Sequence, residues 1–339
     1  MSSDSLTDRL QYFLGTDQFE VKPLAGGASS RKYYQIDLKK KLYFPSKRIL
    51  LMTIPLEEID TVTDYVHIDF YLQRMGVPTP KVYEMKKYLG WIFLEHENSP
   101  TLLTYLQKNS AQTDKLIENL IEFLIHIQER CQFEDHCPAF HRFFDKEKYL
   151  YEFDFHVKNQ LLTKYFKLHL SKEEQNDFQN FSLEISQTLV ISEKVFVHRD
   201  FQSSNIFYDR TKIENSFKII DFQDARSGSP IYDVVSCLWD SYITINEELR
   251  NRLLEKFSLH LKKRGTLPTK NDFQKLVDFT VIQRKLHDAG AFAYNYHRFN
   301  IDKFTSFISP AIQMALEKMK LYDQFKNVVK IFEKIGERS

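Results

Sequence analysis

Cysteine is scarce. Cys131, Cys137 and Cys237 are the only three in 339 residues, an odd and sparse set that argues against a disulfide framework. His126, His136 and His141 lie near the first two, but the Cys pair is spaced too widely for the usual zinc ligands, so reduced thiols are expected. Excess charge is missing too: 47 Lys and Arg against 46 Asp and Glu leave a formal net charge of +1. That removes any global case for nucleic acid or a membrane as partner and leaves a small molecule. No uncharged apolar run approaches membrane-spanning length, and Met1 to Asp17 has no cationic segment leading into an apolar one. The expectation is a soluble, cytoplasmic, monomeric chain. Repeats and low-complexity segments are absent. The basic runs Lys39-Lys40-Lys41 and Lys262-Lys263-Arg264 sit beside turn-like residues and read as solvated loops.

What is present is ample apolar material, 42% of the residues with 14% aromatic, enough for one large or two modest domains with a cleft between them. From Phe19 to Leu94 the pattern is strand-rich. "FEVKPL", "KYYQIDL" and "RILLMTI" are β-prone runs separated by Gly26-Gly27-Ala28-Ser29-Ser30 and by a basic loop containing Pro45. Ile59, Val62, Val66 and Phe70 then recur at helical spacing between Glu57 and Arg74, and Gly76 and Pro78 end that helix. "PKVYEM" and "GWIFLEH" read as a hairpin through Lys86 to Gly90. Beyond a hinge at about 95–100 the pattern turns helical: Thr101 to Lys108, Asp114 to Arg130, Tyr232 to Tyr242, Asn246 to Arg264, Asp272 to Tyr296, and Pro310 to Lys334. The reading is an α+β, two-lobed chain, with a small β-rich lobe over 1–97 and a larger, mainly helical lobe over 98–339.

The chemistry concentrates in Val197-His198-Arg199-Asp200-Phe201-Gln202-Ser203-Ser204-Asn205 and Ile219-Ile220-Asp221-Phe222-Gln223. Phosphoryl transfer of the kinase type leaves little covalent work to the protein, which has to align a hydroxyl and neutralise phosphate charge. Asp200 would accept the hydroxyl proton. Asn205 and Asp221 would offer hard oxygens to magnesium, which takes a few protein oxygens with phosphates and water. "KVFVH" and "FKIIDF" read as a pair of short buried strands that hold these residues on rigid ends. The pattern implies an ATP- and Mg2+-dependent phosphotransferase.

With these residues the chain resembles the aminoglycoside phosphotransferase-like family of small-molecule kinases. "VHRDFQSSNI" followed by "IIDFQDARSGSPIYDVVSCLWDSY" is most similar to the branch of cell-wall sugar kinases acting on the anomeric hydroxyl of N-acetylmuramate and N-acetylglucosamine in peptidoglycan recycling. The branch signature is the Gln-Asp-Ala after Asp-Phe. "LAGGASSRKYY" and "VIQRKLHDAGAFAYNYHR" resemble two further segments of that branch, so the likeness spans most of the chain. It implies a bilobal protein-kinase-like fold, Asp200 as catalytic base, Asn205 and Asp221 as magnesium ligands, and His198, with Arg199, bracing the catalytic loop. Gly26, Gly27, Ser29, Ser30 and Arg31 match the nucleotide-proximal turn, where backbone N–H groups approach phosphate, and Glu95 at the hinge is grouped with them.

Two departures stand out. Gly27 replaces a family Asp, and Met52 occupies the strand position where many kinases hold the phosphate-binding lysine. Arg31 is the preferred replacement cation, since its planar fork can bind phosphate bidentately; Glu57 or Glu58 could pair with it. For the acceptor, polar residues in the insert at Phe143 to Tyr165 and on the late helix are the candidates: Glu152, His156, Asp224 and Arg284. An aminoglycoside would need an acidic pocket and an amino sugar a cation and hydrogen-bond donors, and Glu152, Asp154 and Asp224 leave both open. A choline- or fructosamine-type acceptor and a catalytically silent nucleotide-binding protein are also compatible with these residues. Asp233, which follows Pro230 and begins a helix, is read as stabilising the catalytic loop.

Overall fold

A computed structural model describes residues 3–24, 30–190, 194–212, 216–265 and 270–336. The chain divides into two compact units, Met1–Ser99 and Pro100–Ser339. The small unit is built on five antiparallel strands, β1 (Phe19–Leu24), β2 (Lys32–Leu38), β3 (Arg48–Thr53), β4 (Val82–Lys86) and β5 (Trp91–Glu95), in the spatial order β1-β2-β3-β5-β4. In β3 the consecutive residues Leu51 and Met52 are both buried, so both faces of this central strand are covered. Met52 lies opposite Tyr33 and Ile92. A lysine there would have to bring its charge into an apolar layer, at a cost the thioether avoids. Between β4 and β5 a short turn of 3-10 helix, Lys87–Leu89, ends at Gly90 with φ +66°, and a Cβ at Gly90 would overlap the Ile54 carbonyl.

Two helices complete the unit. The one expected to begin near Glu57 starts as a 3-10 turn, Leu56–Glu58, and continues as α2 (Asp60–Arg74). Its Asp69 is buried and accepts from Thr79 Oγ1 (2.5 Å) and Gln73 Nε2 (2.8 Å). The other, α1 (Ser3–Leu14), falls in a segment whose sequence reads only as polar. Leu6, Leu10 and Leu14 recur every four residues and bury against Ile36, Ile49, Leu51, Trp91 and Phe93, a single narrow stripe on an otherwise polar helix.

The large unit is mainly helical: α3 (Leu102–Leu106), α4 (Thr113–Arg130), α5 (Lys146–Glu152), α6 (Lys172–Leu189), α7 (Ile231–Leu238), α8 (Glu247–Lys263), α9 (Lys270–Phe299), α10 (Ile308–Met319) and α11 (Lys326–Gly336). No described helix is long and apolar enough to cross a membrane. The stretch expected as one helix from Pro310 to Lys334 is two, because the chain turns at Lys320 to Phe325 to bury Phe325 against Phe181 and Phe279. The expected strand pair is corrected as well. β6 (Val195–Val197) pairs with β9 (Arg226–Gly228), whereas β7 (Ile206–Tyr208) pairs with β8 (Phe217–Ile219). Apolar runs fix that both segments are strands; their partners are three-residue stretches, of which Arg226–Gly228 has no strand signal of its own.

After α5 the chain widens into a 13-residue π-helix, Phe153–Tyr165, an uncommon element at this length. It lies along α9 so closely that a Cβ at Gly290 would overlap the His156 carbonyl. In an open helix Ala would be favoured over Gly by about 1 kcal/mol. Here Gly290→Ala is expected to destabilise by about 1–3 kcal/mol through overpacking, read from the urea midpoint; a variant as stable as wild type would show the contact to be soft.

Candidate active site

Buried β6 delivers His198, Arg199 and Asp200 to the head of a loop fixed by hydrogen bonds to Asp233, Ile220 and Asp240. Asp233, in the first turn of α7, accepts from the backbone N–H of His198 (2.6 Å) and of Arg199 (3.0 Å). That fork accounts for Arg199 at φ +82°, a left-handed conformation costly for a residue with a Cβ unless its surroundings impose it. Burial pushes the Asp233 carboxyl up to about 7 against the lowering pull of these two donors. The His198 imidazole, held down at about 4 by burial although Asp200 pulls the other way, is neutral and places Nε2 2.9 Å from the Ile220 carbonyl. A carbonyl only accepts, so Nε2 carries the proton. Downstream, Ser203 N–H donates to the buried Asp240 at 2.7 Å.

The oxygen-bearing residues share this frame. Asn205 Nδ2 donates to the Asp200 carbonyl at 3.0 Å, and Ile220 N–H donates to the Asn205 carbonyl at 3.0 Å. Asp221 follows at once, at φ +65°, and accepts from Gln223 Nε2 at 2.7 Å. Gln223 is itself anchored by Arg142 Nη1 on its carbonyl at 2.7 Å. Asn205 and Asp221 thus stand at one end of the β7–β8 hairpin. With Asn205 Nδ2 engaged on a carbonyl, its side-chain oxygen is the atom left to face a cation. Among the described residues no three His, Cys, Asp or Glu side chains gather into a metal cage, and the three buried cysteines form no disulfide.

Asp200 is held from α9. Arg284, 1% exposed, places Nη2 2.7 Å from Asp200 Oδ1 and 3.1 Å from Asp288 Oδ1. Asp288 in turn takes Lys285 Nζ at 2.6 Å and Ser241 Oγ at 3.1 Å. Burial alone would raise the Asp200 carboxyl, but Arg284 and then Arg199 outweigh it and hold it below the usual range.

Of the residues read as acceptor ligands, two lie within the protein's own charge network. Glu152 is fully buried and engaged by Gln283 Nε2 (2.7 Å) and Lys148 Nζ (3.1 Å), with Arg199 and His287 at 3.8 Å. Arg284 is spent on Asp200 and Asp288. Both are held in the interior by partners of opposite charge, Glu152 with the Gln283 amide as well. His156 packs edge-on to His287, 4.6 Å between centroids, and burial, then His287, pushes it down to about 2. Asp224 stays half in solvent, 4.0 Å from Arg199 Nη1. In the small unit, Ser30 Oγ donates to Glu58 at 2.8 Å, Arg31 precedes β2, and Glu95 closes β5, its carboxylate 3.3 Å from Lys81 N–H. Gly26, Gly27 and Ser29 lie outside the described residues. Sequence reasoning missed Asp240, Gln283, Lys285, His287 and Asp288; the signal was four ionisable groups in "QRKLHD" within an otherwise buried helix.

Glu152 sets an acid limit to stability. Burial raises its carboxyl, but His287, Arg199 and Lys148 outweigh that and lower it to about 2. A depressed folded value stabilises above the unfolded value and loses that contribution as pH falls from about 4.5 toward 2. Over that window wild type is expected to lose on the order of 3 kcal/mol that Glu152→Gln does not; parallel acid-unfolding curves would refute it.

A carboxylate on a rigid loop, with an asparagine and a second aspartate on an adjoining hairpin, has the arrangement a kinase-like phosphotransferase would need. The model of the phosphotransferase enzyme family matches residues 20–266, and the chain belongs to that family. It is a small-molecule kinase. It is 25% identical over 304 residues to the N-acetylmuramate/N-acetylglucosamine kinase of Neisseria meningitidis, covering 88% of this chain and 85% of that one. To the enzyme of the same name from Pseudomonas aeruginosa it is 23% identical over 282 residues, covering 82% and 78%. An aminoglycoside phosphotransferase solved with ADP bound superposes with a TM-score of 0.62 at 14% identity, over 94% of this chain and 99% of that one. The bilobal kinase-like fold expected from the sequence is therefore the fold observed.

Proposed function

We propose that this kinase uses ATP and Mg2+ to phosphorylate the anomeric hydroxyl of an N-acetylated amino sugar, N-acetylglucosamine or N-acetylmuramate. The observation that carries it is the Asp200 carboxylate fixed at 2.7 Å by Arg284, on the same hydrogen-bonded frame as Asn205 and Asp221. Asp200 takes the proton of the acceptor hydroxyl as its oxygen attacks the γ-phosphorus, and the bond to the β-phosphate oxygen breaks. Asn205 and Asp221, hard oxygen donors, would hold the magnesium, which when bound neutralises phosphate charge. Arg31 is the cation proposed for the nucleotide phosphates. The ADP-bound relative supports a nucleotide donor. The names of the two sequence relatives support the acceptor class and, with it, a cytoplasmic place in cell-wall sugar recycling.

The electrostatics around Asp200 support a neutral or anionic acceptor over a polycationic aminoglycoside. Glu152 is engaged by Lys148, Asp288 by Arg284 and Lys285, and Asp154, farther along the π-helix, by Lys158. Asp154 and Asp224 keep about half of their side chains exposed, and Lys158 and Arg199 face them. A panel assay tests the reading: both sugars are expected to be phosphorylated and their 1-O-methyl glycosides to be inert, because the reacting oxygen is blocked. Efficient phosphorylation of the methyl glycosides would sink the anomeric assignment while leaving the kinase chemistry standing.

A further inference from the structure

The charges on one flank of the catalytic loop do not balance. Lys148 on α5, Arg199 on the loop and Arg226 on β9 stand near enough to repel one another. The Lys148 ammonium is pushed below its ordinary range by burial, with Arg199 and Arg226 adding to the push and Glu152 opposing it. Burial lowers the Arg226 guanidinium too, and Arg199 lowers it further. Against these three cations stand two carboxylates. Glu152 lies 3.1 Å from Lys148 Nζ and 3.8 Å from Arg199 Nη2. Asp224 reaches Arg199 Nη1 only at 4.0 Å, with its side chain 48% exposed. Asp200, which also attracts Arg199, is already held by Arg284. One positive charge is left over, in a partly desolvated setting where an uncompensated charge is expensive.

The donors are unmet as well. Among the described residues Arg199 Nε and Arg226 Nε are buried with no hydrogen-bond partner; Arg226 Nη1 reaches the Phe143 carbonyl at 3.5 Å, and its guanidinium lies over the face of Phe144. Yet the cluster is open to a ligand, since Lys148 and Arg199 keep 22% and 17% of their side chains exposed. Two guanidiniums and an ammonium that lack one negative charge match a carboxylate, which a guanidinium fork can take bidentately.

We propose that Lys148, Arg199 and Arg226 form a subsite for a carboxylate carried by the acceptor, beside the hydroxyl presented to Asp200. The subsite rests on the amino-sugar reading above and narrows it: the preferred acceptor is an N-acetylated sugar acid rather than its uncharged counterpart. The cluster repels a cationic acceptor.

The test compares N-acetylmuramate with N-acetylglucosamine, which share the ring and the N-acetyl group and differ by a lactyl ether, in wild type, Lys148→Gln and Arg226→Gln. In each variant the KM for N-acetylmuramate is expected to rise tenfold or more relative to that for N-acetylglucosamine. Both sugars are assayed on one preparation, so a loss of folded enzyme lowers both rates alike and leaves the ratio of KM values untouched. A ratio within twofold of wild type in both variants overturns the subsite while the amino-sugar reading stands. A rise in KM for ATP, equal with either sugar and with the sugar ratio unchanged, assigns the cations to a nucleotide phosphate and also overturns it. Turnover of neither sugar removes the amino-sugar reading and the subsite with it.

Discussion

Asp200→Asn is expected to lower kcat by about two to four decades, the usual scale for losing a general base, while ATP binding changes little. The amide is nearly isosteric and still accepts from Arg284 through its oxygen, so the 2.7 Å contact can survive without its charge. The Asp200 carbonyl that receives Asn205 Nδ2 belongs to the backbone and is untouched, and so is the fork from Asp233 to the N–H groups of His198 and Arg199. Loop geometry, and with it Asn205 and Asp221, therefore stays in place; only the proton acceptor is lost. Steady-state kinetics with nucleotide binding by calorimetry separates the two effects. A variant keeping more than about a tenth of wild-type kcat would mean that another group takes the proton.

Removing Arg284 is expected to damage both stability and chemistry. Its guanidinium is 1% exposed and bridges Asp200 at 2.7 Å and Asp288 at 3.1 Å. Arg284→Met fills the space but strands buried carboxylates, and breaking a buried pair from one side typically costs about 3–5 kcal/mol. Lys285 still holds Asp288 at 2.6 Å, which places the expected loss toward the lower end. The chemical consequence has a definite sign. Arg284 is the leading group holding the Asp200 carboxyl below its usual range, so its removal lets that value rise, and activity that needs the carboxylate disappears at higher pH. The acid limb of kcat/KM should move up in Arg284→Met, whereas Arg284→Lys, which keeps the charge but loses the fork, should move it less. A Met variant with the wild-type urea midpoint and an unmoved acid limb would reduce Arg284 to a bystander.

The parts of the site legible in the sequence are those whose geometry is local. Asp200 and Asn205 are five residues apart and joined by a side chain on a carbonyl; Asp221 follows an apolar strand, and a strand end is where a side chain becomes available. Asp233 was legible for a similar reason, as an acid in the first turn of a helix. Glu152 and Arg284 stood out as residues, but their partners did not. Their types announce charge, and nothing in the neighbouring sequence tells whether that charge meets a ligand or another buried charge. Arg284 reaches Asp200 across 84 residues, and Gln283 reaches Glu152 across 131.

By itself the sequence determined the two-lobed α+β class, nearly all the elements between Phe19 and Arg130, the late helices apart from one break, and the placing of Asp200, Asn205 and Asp221 beside short strands. These follow from hydrophobic period, turn chemistry and short spacings, all written within a dozen or so neighbouring residues. Tertiary structure alone decided that β6 pairs with β9 and β7 with β8, that a leucine stripe on α1 joins the small unit's core, and that a π-helix lies against Gly290. It also decided that one α9 arginine clamps Asp200 and that Lys148, Arg199 and Arg226 gather beside the loop near Glu152 and Asp224. Strand partners and buried charge pairs are chosen by which distant segments meet when the core closes, and the free energy of a buried charge depends on everything packed around it.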